Sequence, residues 1–287
     1  LYLTRGDQGS NFLANYCNVN RAQDLPTAAD VLAKDWSTYQ GKILRLGLDG
    51  SIPADNPVLN GVRSHIYTYG HRNPQGLVFS PGGLLYETEH GPSSDDEVNL
   101  IQPGRNYGWP NVAGFIDDRG YVYANWSASS PTPCRELRFN NLQPPPSVPR
   151  QQESAWQHAD FMPPLATFFT VPAGYDFAAF GTATIAPGGM DVYTSSRIAG
   201  WNRSLLLTGM RSGAVYRVKL TPDGRRVDGA PVEYFKSTNR YRDLALSPDG
   251  ARIFVSTDDH GSTQDDADRR TNTLANPGAL LEFSYQE

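Results

Sequence analysis

Apolar, β-branched and aromatic residues run through this chain in short stretches, each closed by polar residues and a glycine. Four such stretches are LYLTRGDQG from Leu1, LLYETEHG from Leu84, LLLTGMRSG from Leu205 and IFVSTDDHG from Ile253. Two of them share the strand and turn that precede them, LVFSPGG from Leu77 and LALSPDG from Leu244. A Pro-Gly-Gly turn between two such runs predicts an antiparallel hairpin over LVFSPGGLLYETE. Strand–turn–strand units repeated along one polypeptide predict an all-β fold of the β-propeller type, in which equivalent strand ends gather at one face of a central channel. Residues far apart in sequence then converge there.

Three stretches interrupt the pattern. Ala22 to Trp36 is the one candidate helix, with Thr27 as its cap. Arg119 to Pro163 is rich in Ser, Pro, Asn and Gln, too long for a hairpin loop, and predicts an excursion over the surface. Val171 to Gly181 reads as an aromatic and Ala loop between strands. With 287 residues the chain can bury a substantial core, and residues 1–287 read as a single domain.

Composition narrows the function classes. No run of about 18 apolar residues is present, so no membrane span is predicted. A net charge of −5, with basic residues scattered singly or in pairs, argues against nucleic-acid binding, which needs a clustered basic surface. Cys17 and Cys134 lack metal-site spacing; a disulfide and two buried thiols both remain open.

Candidate chemistry is densest between His71 and Phe115. Arg72, Arg211, Arg240 and Arg242 lie just before or after predicted strands, so a propeller would bring them to one end, together with Asn73 and Gln75. Any one of them alone reads as a surface cation; four in equivalent positions predict a site for a carboxylate-bearing anion. Asp95, Asp96 and Glu97 read either as a solvated acidic turn or as cation ligands.

The order of several runs resembles one family, the soluble pyrroloquinoline-quinone (PQQ) dependent glucose dehydrogenases and related aldose sugar dehydrogenases. These runs are YGHRNPQGL (Tyr69–Leu77), HGPSSDDEVNLI (His90–Ile101), NYGWPNVAG (Asn106–Gly114), GDQG (Gly6–Gly9), GKILRLGLDGSIPADNP (Gly41–Pro57), NRYRD (Asn239–Asp243) and TNTLANPG (Thr271–Gly278). The resemblance implies that Arg72 and Asn73 contact the quinone oxygens. It implies that Arg240 and Arg242 clamp the cofactor carboxylates and that Arg211 stands where the family has a Lys. The carbonyls of Gly91 and Pro92 match those that hold a catalytic Ca²⁺. Glu97 with the Tyr107 carbonyl, and the Ala113 and Phe115 carbonyls with Asp117 and Glu153, match further calcium ligands.

The departures from the family also set expectations. Its general-base His lies upstream of the segment that matches Leu1, and His65, His71, His90, His158 and His260 match it nowhere. Asp7 matches the carboxylate that orients that base, and is expected to be exposed with ordinary acidity. Phe12 replaces a sugar-binding Gln, while Ala179 and Thr182 fall near the aromatic cover. The resemblance therefore implies a six-bladed propeller of which this chain supplies about four blades, the N-terminal blades lying outside it. It implies PQQ- and calcium-dependent oxidation of an aldose to its lactone, in the periplasm or secreted, with an external electron acceptor and homodimerisation left open. The competing readings are a non-catalytic calcium-stabilised propeller that binds a partner, and a propeller lactonase or hydrolase.

Overall fold

A computed structural model describes residues 1–286 and shows an all-β protein. Four antiparallel sheets of three or four strands follow one another along the chain. The first joins Tyr2–Arg5, Lys42–Arg45 and Ile66–Tyr69. The second runs from Pro74–Phe79 through Leu85–Glu89 and Asp96–Ile101 to Ala166–Phe168. The third takes Pro187–Tyr193, Ser204–Gly209, Ala214–Lys219 and Val232–Tyr234, and the fourth takes Tyr241–Leu246, Arg252–Thr257 and Leu280–Ser284.

The predicted hairpin forms as expected, with Phe79 opposite Leu85 and Val78 opposite Tyr86. Its second strand and the next, Asp96–Ile101, are buried throughout because each lies between neighbours on both faces. Tyr86, Val98, Leu100, Phe168, Leu205, Leu207 and Tyr216 form the core between the second and third sheets. Tyr193, Leu206, Val215, Tyr241 and Val255 form the core between the third and fourth.

The first strands of successive sheets pack closely, as Pro74–Phe79 lies on Pro187–Tyr193 and that strand on Tyr241–Leu246. Gly76 and Gly188 permit this approach. A Cβ on Gly188 would overlap the Arg242 carbonyl, and one on Gly76 would stand 2.9 Å from the Gly188 carbonyl oxygen.

The helix is shorter than the pattern suggests, covering Ala28–Ala33. Thr27 caps it in a reciprocal capping box with Asp30, and Lys34 turns into the left-handed region to end it. Arg119 to Pro163 does run over the surface, but it is anchored. Tyr123–Ala124 pairs with Arg150–Gln151, Trp126 is buried against Val148, and Cys17 and Cys134 form a disulfide. Val171 to Gly181 is not all loop, since Phe177–Phe180 forms a single helical turn capped by the Asp176 carboxylate. No helix among the described residues is long and apolar enough to cross a membrane.

Candidate functional site

Antiparallel pairing places the end of one strand and the start of the next at the same edge, so one end of the four sheets collects Asp7, the 71–73 turn, the 90–95 turn, Ile185–Ala186, Arg211, Arg240 and Asp258. Hydrogen bonds stitch these loops across sheets. Asp7 N–H donates to the Arg72 carbonyl (2.8 Å), His90 Nε2 lies 2.8 Å from the Pro187 carbonyl oxygen, and Thr208 Oγ1 donates to the Arg242 carbonyl (3.1 Å).

Arg72 is held on three sides. Its Nη1 donates to the His90 carbonyl (3.1 Å), and its guanidinium lies 5.5 Å from the Phe12 ring centroid and 5.4 Å from that of Trp109. Asn73 follows, with its side-chain oxygen accepting from Gln75 Nε2 at 3.1 Å.

Arg240 and Arg242 share one carboxylate. Asp258 takes Arg240 Nε at 3.1 Å, and Arg242 Nε and Nη2 both at 2.8 Å, a planar fork of the kind that recognises carboxylates. Arg240 also contacts the Ser262 carbonyl and Met210 Sδ. Arg211 is tied by its backbone to Ile185, yet its Nε is buried without a hydrogen-bond partner. A buried guanidinium N–H left unsatisfied is a donor set for an acceptor that the chain itself does not supply.

The acidic triplet is not a solvated turn, because Asp95, Asp96 and Glu97 are all buried. Asp96 accepts from the N–H groups of Gly91, Ile185 and Ala186 and from Thr184 Oγ1, so it welds the second sheet to the third, and burial lifts it to about 6. Glu97 accepts from Gly114 N–H at 2.7 Å.

Glu153 accepts from Ala113 N–H (3.0 Å) and from the N–H groups of Asp117 and Asp118, and burial raises it to about 8. Ala113, Asp117 and Glu153 are thus drawn into one loop cluster, with Phe115 between the first two in sequence and its side chain exposed. Glu97 joins it through Gly114, and Tyr107 lies in the same 106–118 segment. The carbonyls of Gly91 and Pro92 lie in the tight 91–94 turn, where a Cβ on Gly91 would overlap the Ser94 carbonyl.

The reading of Asp7 changes. Asp7 is buried, not exposed. Its oxygens accept from Gly9 N–H (2.8 Å), Asn20 Nδ2 (2.9 Å) and Trp109 Nε1 (2.7 Å), and burial raises its pKa against the opposing pull of Arg72. His90 faces Pro187, and burial together with the charges of Arg72 and Arg242 holds it down to about 4, hence neutral. Asp258 and Trp109 escaped sequence reading; Asp258 closes a strand at the site edge, just as Arg72 opens one.

Sheets stacked around a shared edge, with a cluster of arginines and buried carboxylates in the loops at that edge, define a β-propeller-type protein. A family model described as glucose/sorbosone dehydrogenase matches residues 1–129 and 173–264, and the chain belongs to that family. It is 47% identical to quinoprotein glucose dehydrogenase B of Acinetobacter calcoaceticus, over 100% of this chain and 62% of that protein. It is 29% identical to an aldose sugar dehydrogenase of Escherichia coli strain K12, over 79% of this chain and 50% of that one. The chain thus spans less than two thirds of these relatives' length.

A crystal structure of a glucose dehydrogenase superposes with a TM-score of 0.57 at 28% identity, covering 89% of this chain and 57% of the other. The PQQ-bound aldose sugar dehydrogenase of Streptomyces coelicolor, at 23% identity and a TM-score of 0.53, shares the fold over 88% of this chain and 54% of its own.

Proposed function

We propose that the protein carrying this chain is a PQQ- and calcium-dependent dehydrogenase that oxidises an aldose at its anomeric carbon to the lactone. The observation that supports this most is the convergence of Arg72, Arg211, Arg240 and Arg242 at one sheet end, with Arg211 Nε buried and unpartnered. Three of these guanidinium groups suit the carboxylates of PQQ, and Arg72 with Asn73 and Gln75 suits its quinone oxygens. When bound, PQQ accepts a hydride from the sugar.

In this reading the chain's own residues bind and orient. Arg72 presents a cation whose direction is fixed by Phe12, Trp109 and the His90 carbonyl. Asp7 stays within a polar cage facing Arg72 and orients the base. Gly91 and Pro92 supply hard oxygen donors for Ca²⁺, and Glu97, Tyr107, Ala113, Phe115, Asp117 and Glu153 supply those of structural calcium sites. We read the four sheets as four of six blades, with residues 1–287 one domain of the complete ring, in the periplasm or outside the cell.

The test is dye reduction by full-length protein given PQQ and Ca²⁺ across a panel of aldoses. Sugar-dependent turnover is expected. Absence of turnover on every sugar, with no PQQ binding, would replace this reading by the calcium-stabilised binding module.

A further inference from the structure

We propose that His71, Glu87 and Glu89 form a fully buried site for a divalent first-row transition cation, with Zn²⁺ as the probe, beneath the 71–73 turn. The second sheet builds it. Glu87 and Glu89 are two apart on Leu85–Glu89 and so share a face, while pairing places Asn99 opposite Glu87 and Glu97 opposite Glu89. Glu97, already assigned to a calcium site, lies across the rung from Glu89, which leaves Glu87 and Glu89 as the carboxylates of this face to be compensated.

Hydrogen bonding within the fold leaves the group unsatisfied. Asn99 Nδ2 carries two hydrogens but faces Glu87 Oε2 (3.0 Å), Glu89 Oε1 (3.2 Å) and Glu97 Oε2 (2.9 Å). Glu87, at 0% exposure, keeps its Oε1 without a partner. Among the described residues no Lys or Arg side chain pairs with Glu87, Glu89 or Glu97. An uncompensated buried carboxylate carries a large desolvation penalty, so a proton or a cation must neutralise it.

Three features favour a cation that accepts nitrogen. One donor atom from each of His71, Glu87 and Glu89 falls within 4.8 Å of the others. The His71 Nδ1 to Glu89 Oε1 separation of 3.0 Å is a hydrogen-bond contact that would open by roughly 0.3–0.6 Å to seat a tetrahedral ion bound at about 2.0–2.2 Å. The other ring nitrogen is held by Thr68 Oγ1 at 2.9 Å and the ring stacks on Tyr107 at 4.6 Å, the outer contacts that orient a ligating imidazole. Imidazole with carboxylates suits Zn²⁺ or its neighbours, whereas Ca²⁺ takes oxygen alone. Glu89 Oε2 also accepts Arg72 N–H at 2.6 Å, so an ion here would brace the backbone that presents Arg72.

The experiment strips full-length protein of metal, saturates it with Ca²⁺ to fill oxygen-only sites, then dialyses it against Zn²⁺ and measures metal content and melting temperature, with E87Q in parallel. Expected are one more tightly held Zn²⁺ in wild type than in E87Q and a zinc-dependent rise in melting temperature confined to wild type. Equal zinc content, with E87Q melting above the wild type, would show that the carboxylates share protons and would overturn the site. Zinc X-ray absorption on the wild type needs no variant. A shell containing one imidazole supports the site, and a shell of water alone sinks it.

Discussion

Asp258 shows how one side chain resets the meaning of two others. The family resemblance made Arg240 and Arg242 legible as a clamp at the start of the Tyr241–Leu246 strand, but their resident carboxylate comes from the end of the next strand. Replacing both arginines by Ala should weaken PQQ binding by about 1.5–3 kcal/mol for each hydrogen bond to a charged group lost, so at least roughly ten- to hundredfold. Titration calorimetry with PQQ on full-length protein checks this, and equal affinity would remove them from the site.

Lys42 figures in the sequence reading only within the Gly41–Pro57 run. It is buried and donates to the carbonyls of Arg21, Ala22 and Gln40, and burial lowers it from 10.5 to about 7. Between these values the unfolded chain holds the extra proton, so stability should rise with pH from about 7 upward and fall as pH drops through about 7. Melting temperatures at several alkaline pH values should show this slope in the wild type and a flatter one in Lys42→Met.

Strands, turns and the helix cap follow from local rules, and these parts of the sequence pattern match the structure closely. The 119–163 segment does not, because what fixes it is non-local: the Cys17–Cys134 bond and the burial of Trp126. That bond spans 117 residues, and removing it as Cys17→Ser with Cys134→Ser should cost about 2–5 kcal/mol, read by urea unfolding.

The neighbouring loop at 106–118 closes through its backbone N–H groups on the buried Glu153 carboxylate, so a bound ion should matter there. Chelation of full-length protein should lower its melting temperature and Ca²⁺ restore it by mass action. An unchanged curve after verified metal removal would discard the structural calcium sites.

Across the whole chain the four sheets bring residues 7 to 258 to one edge, and in the proposed reading the general base is none of the histidines here. Expressed alone, this chain should therefore show no sugar-dependent dye reduction, since loss of a general base alone forfeits a factor of about 10² to 10⁴. Rates near those of full-length protein would place the base within these residues, His90 first.

Strand periodicity, turn chemistry and the family runs were enough to read the all-β class, the arginine set and the hairpins, because each depends on neighbours in sequence. Three things depended on which strand ends meet: that Asp7 is caged, that Asp95 to Glu97 are buried, and that Glu87, Glu89 and His71 face one another. Burial and cross-strand register are properties of packed sheets, and no local pattern encodes them.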